Sequence, residues 1–199
     1  MSNKYNKVAA VSTVIFMSLL IYTAIIDYSS DKKILSLIIL ALICLAIHYI
    51  ISFIANKKNL HLPSSFQLFG VTFIFLAIYL GEIHNFYNRF WWWDLILHSL
   101  FGCYTVIVSL HMIRGVIRKE VEITKKRFTI FTVIFAFSFT MALGTLWELF
   151  EFSGDYLFKQ EMIKGGLEDT ATDLLVKTAS ALITSLLYYN NNKNSLNMW

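Results

Sequence analysis

Seven side chains able to bind a cation or carry a proton cluster at the ends of three apolar stretches: Asp94 and His98, then Glu148, Glu151 and Asp155, then Asp169 and Asp173. Their spacings are three or four residues within each group, so on helices each group forms one stripe. Carboxylates and an imidazole facing one another suit a divalent cation. Mg²⁺, Mn²⁺ and Ca²⁺ fit such an acidic set, and Zn²⁺ fits where His98 and two carboxylates are the ligands. The cation would offset repulsion among the acids and lower the pKa of a bound water for attack on a phosphate, ester or amide.

Helix electrostatics separate these residues. Asp94 and Asp169 open helices, where an acid complements the macrodipole by about 0.3–1 kcal/mol, and this alone is a sufficient reason for either of them. Glu148 and Glu151 close a helix, where the dipole disfavours them, so they need a cation, a proton or a hydrogen-bond partner. Lys177 lies one turn beyond Asp173 at i,i+4, and its ammonium is able to neutralise Asp173 and one glutamate in place of a metal. Two arrangements therefore stay open. In one, His98, Glu148, Glu151 and Asp173 hold a cation while Asp94 or Asp169 orients or deprotonates water. In the other, a protein-only charge network surrounds Lys177. Asp155 extends the second stripe, Glu82 stands at the end of the third apolar stretch as a fourth side, and Trp147 is placed to stack on a substrate. Trp91-Trp92-Trp93 fits an interfacial aromatic belt.

The elements that position these groups are read from composition. The 199 residues are 57% hydrophobic and 15% charged, with Pro63 the only proline. Ordinary soluble domains are roughly 45–50% apolar and 25% charged, so the chain reads as an all-α, polytopic membrane protein. Six apolar stretches, about 8–26, 34–55, 66–82, 92–113, 128–150 and 171–189, are expected to span the bilayer as one domain covering residues 1–199. The first follows Lys4 and Lys7 but is too long for a cleaved signal core and reads as a retained span.

Lys4, Lys7, Lys57, Lys58, Arg114, Arg118, Lys119, Lys125, Lys126, Arg127 and Lys193 fall on one side of these spans, against Lys32, Lys33, Arg89, Lys159 and Lys164 on the other. By the positive-inside rule both termini are cytoplasmic and the acidic cluster faces outward. The formal charge of +4 is explained by these loops, so nucleic acid is not an expected partner. Cys44 and Cys103 lie inside apolar runs and read as small buried or lipid-facing residues. Phosphate-loop, serine-elbow and HExxH patterns are absent from the sequence.

Trp92-Trp93-Asp94 with His98 and Gly102, Trp147-Glu148 with Glu151 and Asp155, and Asp169-Thr170 with Asp173 carry a resemblance to the YjdF-like family over about residues 81–181. That resemblance implies a bacterial inner-membrane protein of uncharacterised function. The order Asp-x-x-x-His, paired Glu, then Asp is also similar to the VanZ-like family, linked to glycopeptide-antibiotic resistance. Lys177 and Ser180 stand where that family's pattern has Asn and Gly. The expected role is an envelope-facing enzyme or binding protein for a lipid-linked or cationic amphiphile, with membrane lipids around it. A proton- or ion-coupled transporter and a non-catalytic protein held by charge pairs are the alternatives.

Overall fold

A computed structural model describes residues 2–27, 32–116, 124–158, 163 and 165–194. Its elements are α1 (Ser2–Asp27), α2 (Lys32–Lys57), α3 (Phe66–Ile74) continued by a π-helical segment (Phe75–Ile83), α4 (Phe86–Arg89), α5 (Trp93–Val116), α6 (Lys125–Phe158) and α7 (Leu167–Asn194). No strand occurs among the described residues. Residues 28–31 in the first expected break, Arg118 and Lys119 in the basic run, and Lys159 and Lys164 lie outside them.

Among the described residues, five helices are long and apolar enough to cross a membrane: Tyr5–Ile26, Lys33–Lys57, Phe66–Ile83, Trp93–Ile113 and Lys126–Ser153. They match the first five expected spans to within a few residues. The sixth differs, since α7 has 28 residues yet is not among the helices of sufficient apolarity. The reason is visible along its length. Asp173, Lys177, Ser180 and Ser185 are buried, whereas Leu175, Leu182, Ile183, Leu186 and Leu187 are exposed. Polar residues inside and apolar residues outside reverse the pattern of a water-soluble amphipathic helix. Exposed Val, Ile and Leu side chains likewise cover α1 and α2, an apolar surface of a kind that lipid covers and water does not tolerate.

The chain packs as two compact units, residues 1–93 and 94–199. In the first, Phe16 and Leu20 of α1, Ile38, Ala41 and Leu45 of α2, Val71 of α3, and Ile78 and Tyr79 of the π segment form the core. The Phe16 ring meets Phe75 edge-on at 5.4 Å and Tyr79 at 6.1 Å. At the end of α2, Asn59 adopts φ 54° and the Leu60 N–H donates to the Ala55 carbonyl at 2.8 Å, closing the helix in a Schellman-type turn. The π segment ends with the His84 N–H donating to the Tyr79 carbonyl at 3.0 Å, and it carries the third stretch to Ile83.

In the second unit Val106 and Leu110 of α5, Ala136 of α6 and Ala181 of α7 form a small core. Alanine and glycine let helix backbones come close where no water drives them together. Gly102 is the tightest such point, because a Cβ there would meet the Ser180 hydroxyl and lie 2.8 Å from the Lys177 carbonyl oxygen. A Cβ on Gly144 would only touch the Lys177 Cδ, at 3.4 Å. Gly102→Ala is therefore expected to lower unfolding stability in detergent by about 1–3 kcal/mol through overpacking. Gly144→Ala should leave it unchanged or raise it through helix propensity. Equal melting temperatures for the two variants would show that Gly102 does not set the approach of α5 to α7.

Candidate functional site

Asp94 lies in the first turn of α5, and one turn later His98 reaches back toward it and across to α7. The His98 Nε2 is 3.1 Å from Asp94 Oδ1 and 3.1 Å from Asp173 Oδ2. One donor atom from each of the three residues lies within 4.8 Å of the others. The His98 and Asp173 side chains are nearly inaccessible, whereas the Asp94 side chain keeps 31% of its surface and marks the open side of the trio.

Both carboxylates approach the same ring nitrogen. That nitrogen carries either one N–H or one lone pair, so it cannot give each acid its own proton. One proton shared between two acceptors, a protonated carboxyl donating to the ring, and a cation among three donors each fit this arrangement. Metal–ligand bonds of 2.0–2.2 Å place neighbouring ligands about 2.8–3.1 Å apart in an octahedral shell, and 3.1 Å fits that spacing as well as it fits a hydrogen bond.

One turn further along α7, Lys177 donates to Glu148 Oε1 of α6. Both residues are buried, with Lys177 1% and Glu148 5% exposed. Glu148 Oε2 is also buried and has no hydrogen-bond partner. Glu151 lies within electrostatic reach of Glu148, His98 and Lys177, with the Trp147 indole beside it. Six sequence-selected residues, Asp94, His98, Glu148, Glu151, Asp173 and Lys177, thus share one region of the second unit. Their pairing is not the one that spacing within α7 favours: Lys177 takes Glu148, and Asp173 turns to His98. The convergent ligand atoms come from Asp94, His98 and Asp173, so Asp94 moves from an orienting role into the candidate ligand set.

Beyond these six, Trp147 adjoins the cluster through its hydrogen bond to Glu151. Asp155 Oδ2 accepts the Ile163 N–H at 2.8 Å and fastens the chain beyond α6. Asp169 is in the first turn of α7, where a Cβ on Gly165 would come within 2.9 Å of its side chain. Glu82 belongs to the first unit, in the π segment. Trp147 is exposed and tilts against Phe150 at 5.8 Å, and Trp91 is 82% exposed, as a belt residue would be. Gly102 and Ser180, which bring α5 against α7 one turn below His98, carry no chemistry of their own. Only a glycine at i+4 from a polar residue hints at that contact in the sequence.

An uncharacterized protein of Thermotoga maritima is 30% identical over 118 residues, which are 57% of this chain and 56% of that protein. The match thus spans about half the length of that relative. No solved structure matches the chain. The family described as predicted membrane protein (DUF2238) matches residues 8–194, from α1 to the last turn of α7 and through every residue of the polar cluster, and the chain belongs to that family.

Proposed function

We propose that this protein is a six-span inner-membrane protein, with both termini cytoplasmic, that holds a divalent cation between Asp94, His98 and Asp173 and uses it on a lipid-linked or amphiphilic substrate. The observation that carries this reading is the approach of two carboxylates to one imidazole nitrogen, each at 3.1 Å. An imidazole donor favours Zn²⁺ or Mn²⁺ over Mg²⁺ and Ca²⁺, which prefer all-oxygen shells. Three protein ligands leave positions for water and substrate, the pattern of catalytic sites. Asp94 gives the open side, and Glu151, which accepts a hydrogen bond from the Trp147 indole, is the further carboxylate nearest to hand for orienting an attacking water. A substrate presented by the outer leaflet would reach the trio without leaving lipid. Assignment within the family to a YjdF-like group, on the motifs around Asp94, Glu148 and Asp169, is part of the same proposal.

The Lys177–Glu148 pair serves this site as a positioning element. It aligns α6 with α7 and keeps the ammonium away from Asp173, leaving that carboxylate for the cation. A carrier reading has less support. Beyond Lys177 the buried hydroxyls of Ser109, Thr132 and Thr140 donate to the carbonyls of Thr105, Phe128 and Ala136 on their own helices.

Protein purified after growth with Zn²⁺ and Mn²⁺ should contain about one such ion per chain, and His98→Ala and Asp173→Asn should lose it. Metal-free wild type under those conditions would sink the proposal. Lys177→Met alone should destabilise the protein by about 3–5 kcal/mol, because it leaves a buried carboxylate unpaired, and Lys177→Met with Glu148→Gln should recover most of that loss. The double variant should also keep its metal; losing it would make Glu148 a ligand. Single cysteines at Asn3→Cys and Asn197→Cys, in a protein lacking Cys44 and Cys103, should react with an impermeant thiol reagent only after the cells are opened. Labelling of either in intact cells would reverse the orientation.

A further inference from the structure

A second site lies in the first unit, where α1 begins, α2 ends and α3 begins. A cavity of about 360 Å³ opens there, with Asn6, Tyr49, Ser52, Asn56, Ser64 and Gln67 supplying its polar wall. Leu62, Pro63 and Phe66 add an apolar wall. Its volume is within the roughly 300–1,000 Å³ of small-molecule sites. Phe66 is held from behind by a stack on His48, with ring centroids 4.6 Å apart and planes at 24°. Gly70 leaves room for that imidazole, since any Cβ there would overlap the ring.

Four features define what would bind. First, the lining comes from the end regions of three stretches apolar enough to cross a membrane, Tyr5–Ile26, Lys33–Lys57 and Phe66–Ile83, and from residues 62–64 before the third, which is the depth of lipid headgroups. Second, the polar wall is made of the amides of Asn6, Asn56 and Gln67 and the hydroxyls of Tyr49, Ser52 and Ser64, donors and acceptors suited to a polyol. Third, Lys7, Lys57 and Lys58 are exposed and immediately follow the lining residues Asn6 and Asn56. Fourth, no Asp or Glu occurs in residues 1–26 or 32–81, so an ammonium headgroup would find no carboxylate to pair with.

We propose that this cavity binds the glycerol headgroup of an anionic phospholipid of the phosphatidylglycerol class, with the headgroup hydroxyls on Gln67 and Asn56 and the phosphate facing the lysines. Basic side chains at a bilayer surface attract anionic lipid in general. The amide-lined cavity adds selectivity for the polyol. This site is independent of the Asp94–His98–Asp173 trio, and neither proposal needs the other.

The test is lipid binding to delipidated full-length protein in a mild detergent, read by native mass spectrometry and by thermal shift. The probes are phosphatidylglycerol, phosphatidic acid, phosphatidylethanolamine and free glycerol 1-phosphate. Phosphatidylglycerol should bind more tightly than each of the others. Asn56→Leu and Gln67→Leu should each weaken it about 2–10-fold, the loss of one net hydrogen bond, while leaving phosphatidic acid unchanged. Lys57→Gln with Lys58→Gln should weaken both anionic lipids. Asn56 is exposed, so its variant keeps the test valid if Gln67→Leu folds poorly. Equal binding of phosphatidylglycerol and phosphatidic acid would reduce the site to charge alone and overturn the proposal. A preference unchanged in Asn56→Leu, or binding of free glycerol 1-phosphate as tight as that of the lipid, would overturn it equally.

Discussion

The ammonium of Lys177, 1% exposed on a helix whose outer face is leucine and isoleucine, is the constraint around which the second unit is organised. A buried cation of this kind has to be met by an anion with good geometry, and Glu148 of α6 meets it. Such pairs add little net stability compared with apolar packing, but the penalty for separating them is severe. The pair therefore acts as a register pin. Sliding α6 along α7 by one turn would bring Glu148 out of reach of Lys177 and leave a charge alone in a dry interior. With that register set, Glu151 stands beside the pair and Asp173 remains uncommitted on its own helix.

Asp173 is then available to α5, and the contact it makes depends on how closely α5 can come. Gly102 decides this, because the Lys177 carbonyl and the Ser180 hydroxyl occupy the space a side chain would need. His98 is one turn away on the same face as Gly102, so the close approach of the backbones brings its imidazole to Asp173. Asp94, a further turn on, closes the trio from the same helix. The chemistry-bearing residues are thus held by two structural devices without reactivity of their own: an ion pair between α6 and α7 and a missing side chain between α5 and α7.

Much of this was legible in the sequence, and the parts that were not share a physical cause. Apolar runs of sufficient length mark α1, α2, α5 and α6 directly, and the i,i+3 and i,i+4 spacings identify Asp94, His98, Glu148, Glu151 and Asp173 as inward stripes. Pairing across helices is a different matter. Spacing ranks neighbours on one helix, so Lys177 reads as a partner for Asp173, whereas register and rotation give it to Glu148. The passage of α3 into a π-helix at Phe75 leaves no periodic signature, since the residues there are apolar all round. The stretch 171–189 reads as a span, yet its buried Lys177, Ser180 and Ser185 lower the mean hydropathy of a helix with an apolar exterior. The lining of the first unit's cavity is equally silent: Asn6, Asn56 and Gln67 look like any residues at the ends of spans until α1, α2 and α3 are brought together.

The charges of the cluster distinguish the two ways of filling the space beside His98. Asp94, Asp173, Glu148 and Glu151 supply four carboxylates, and Lys177 supplies a single fixed cation. If His98 carries a proton shared by both aspartates, two negative charges still lack compensation in a region largely closed to water. A divalent cation with a neutral imidazole leaves one fewer. It also gives each aspartate a bond of its own in place of half a hydrogen bond. The residual charge then falls on Glu151, the carboxylate not engaged by the trio or by the Lys177 ammonium. The contacts thus separate the four acids: Asp94 and Asp173 approach His98, Glu148 takes the Lys177 ammonium, and Glu151 meets the Trp147 indole.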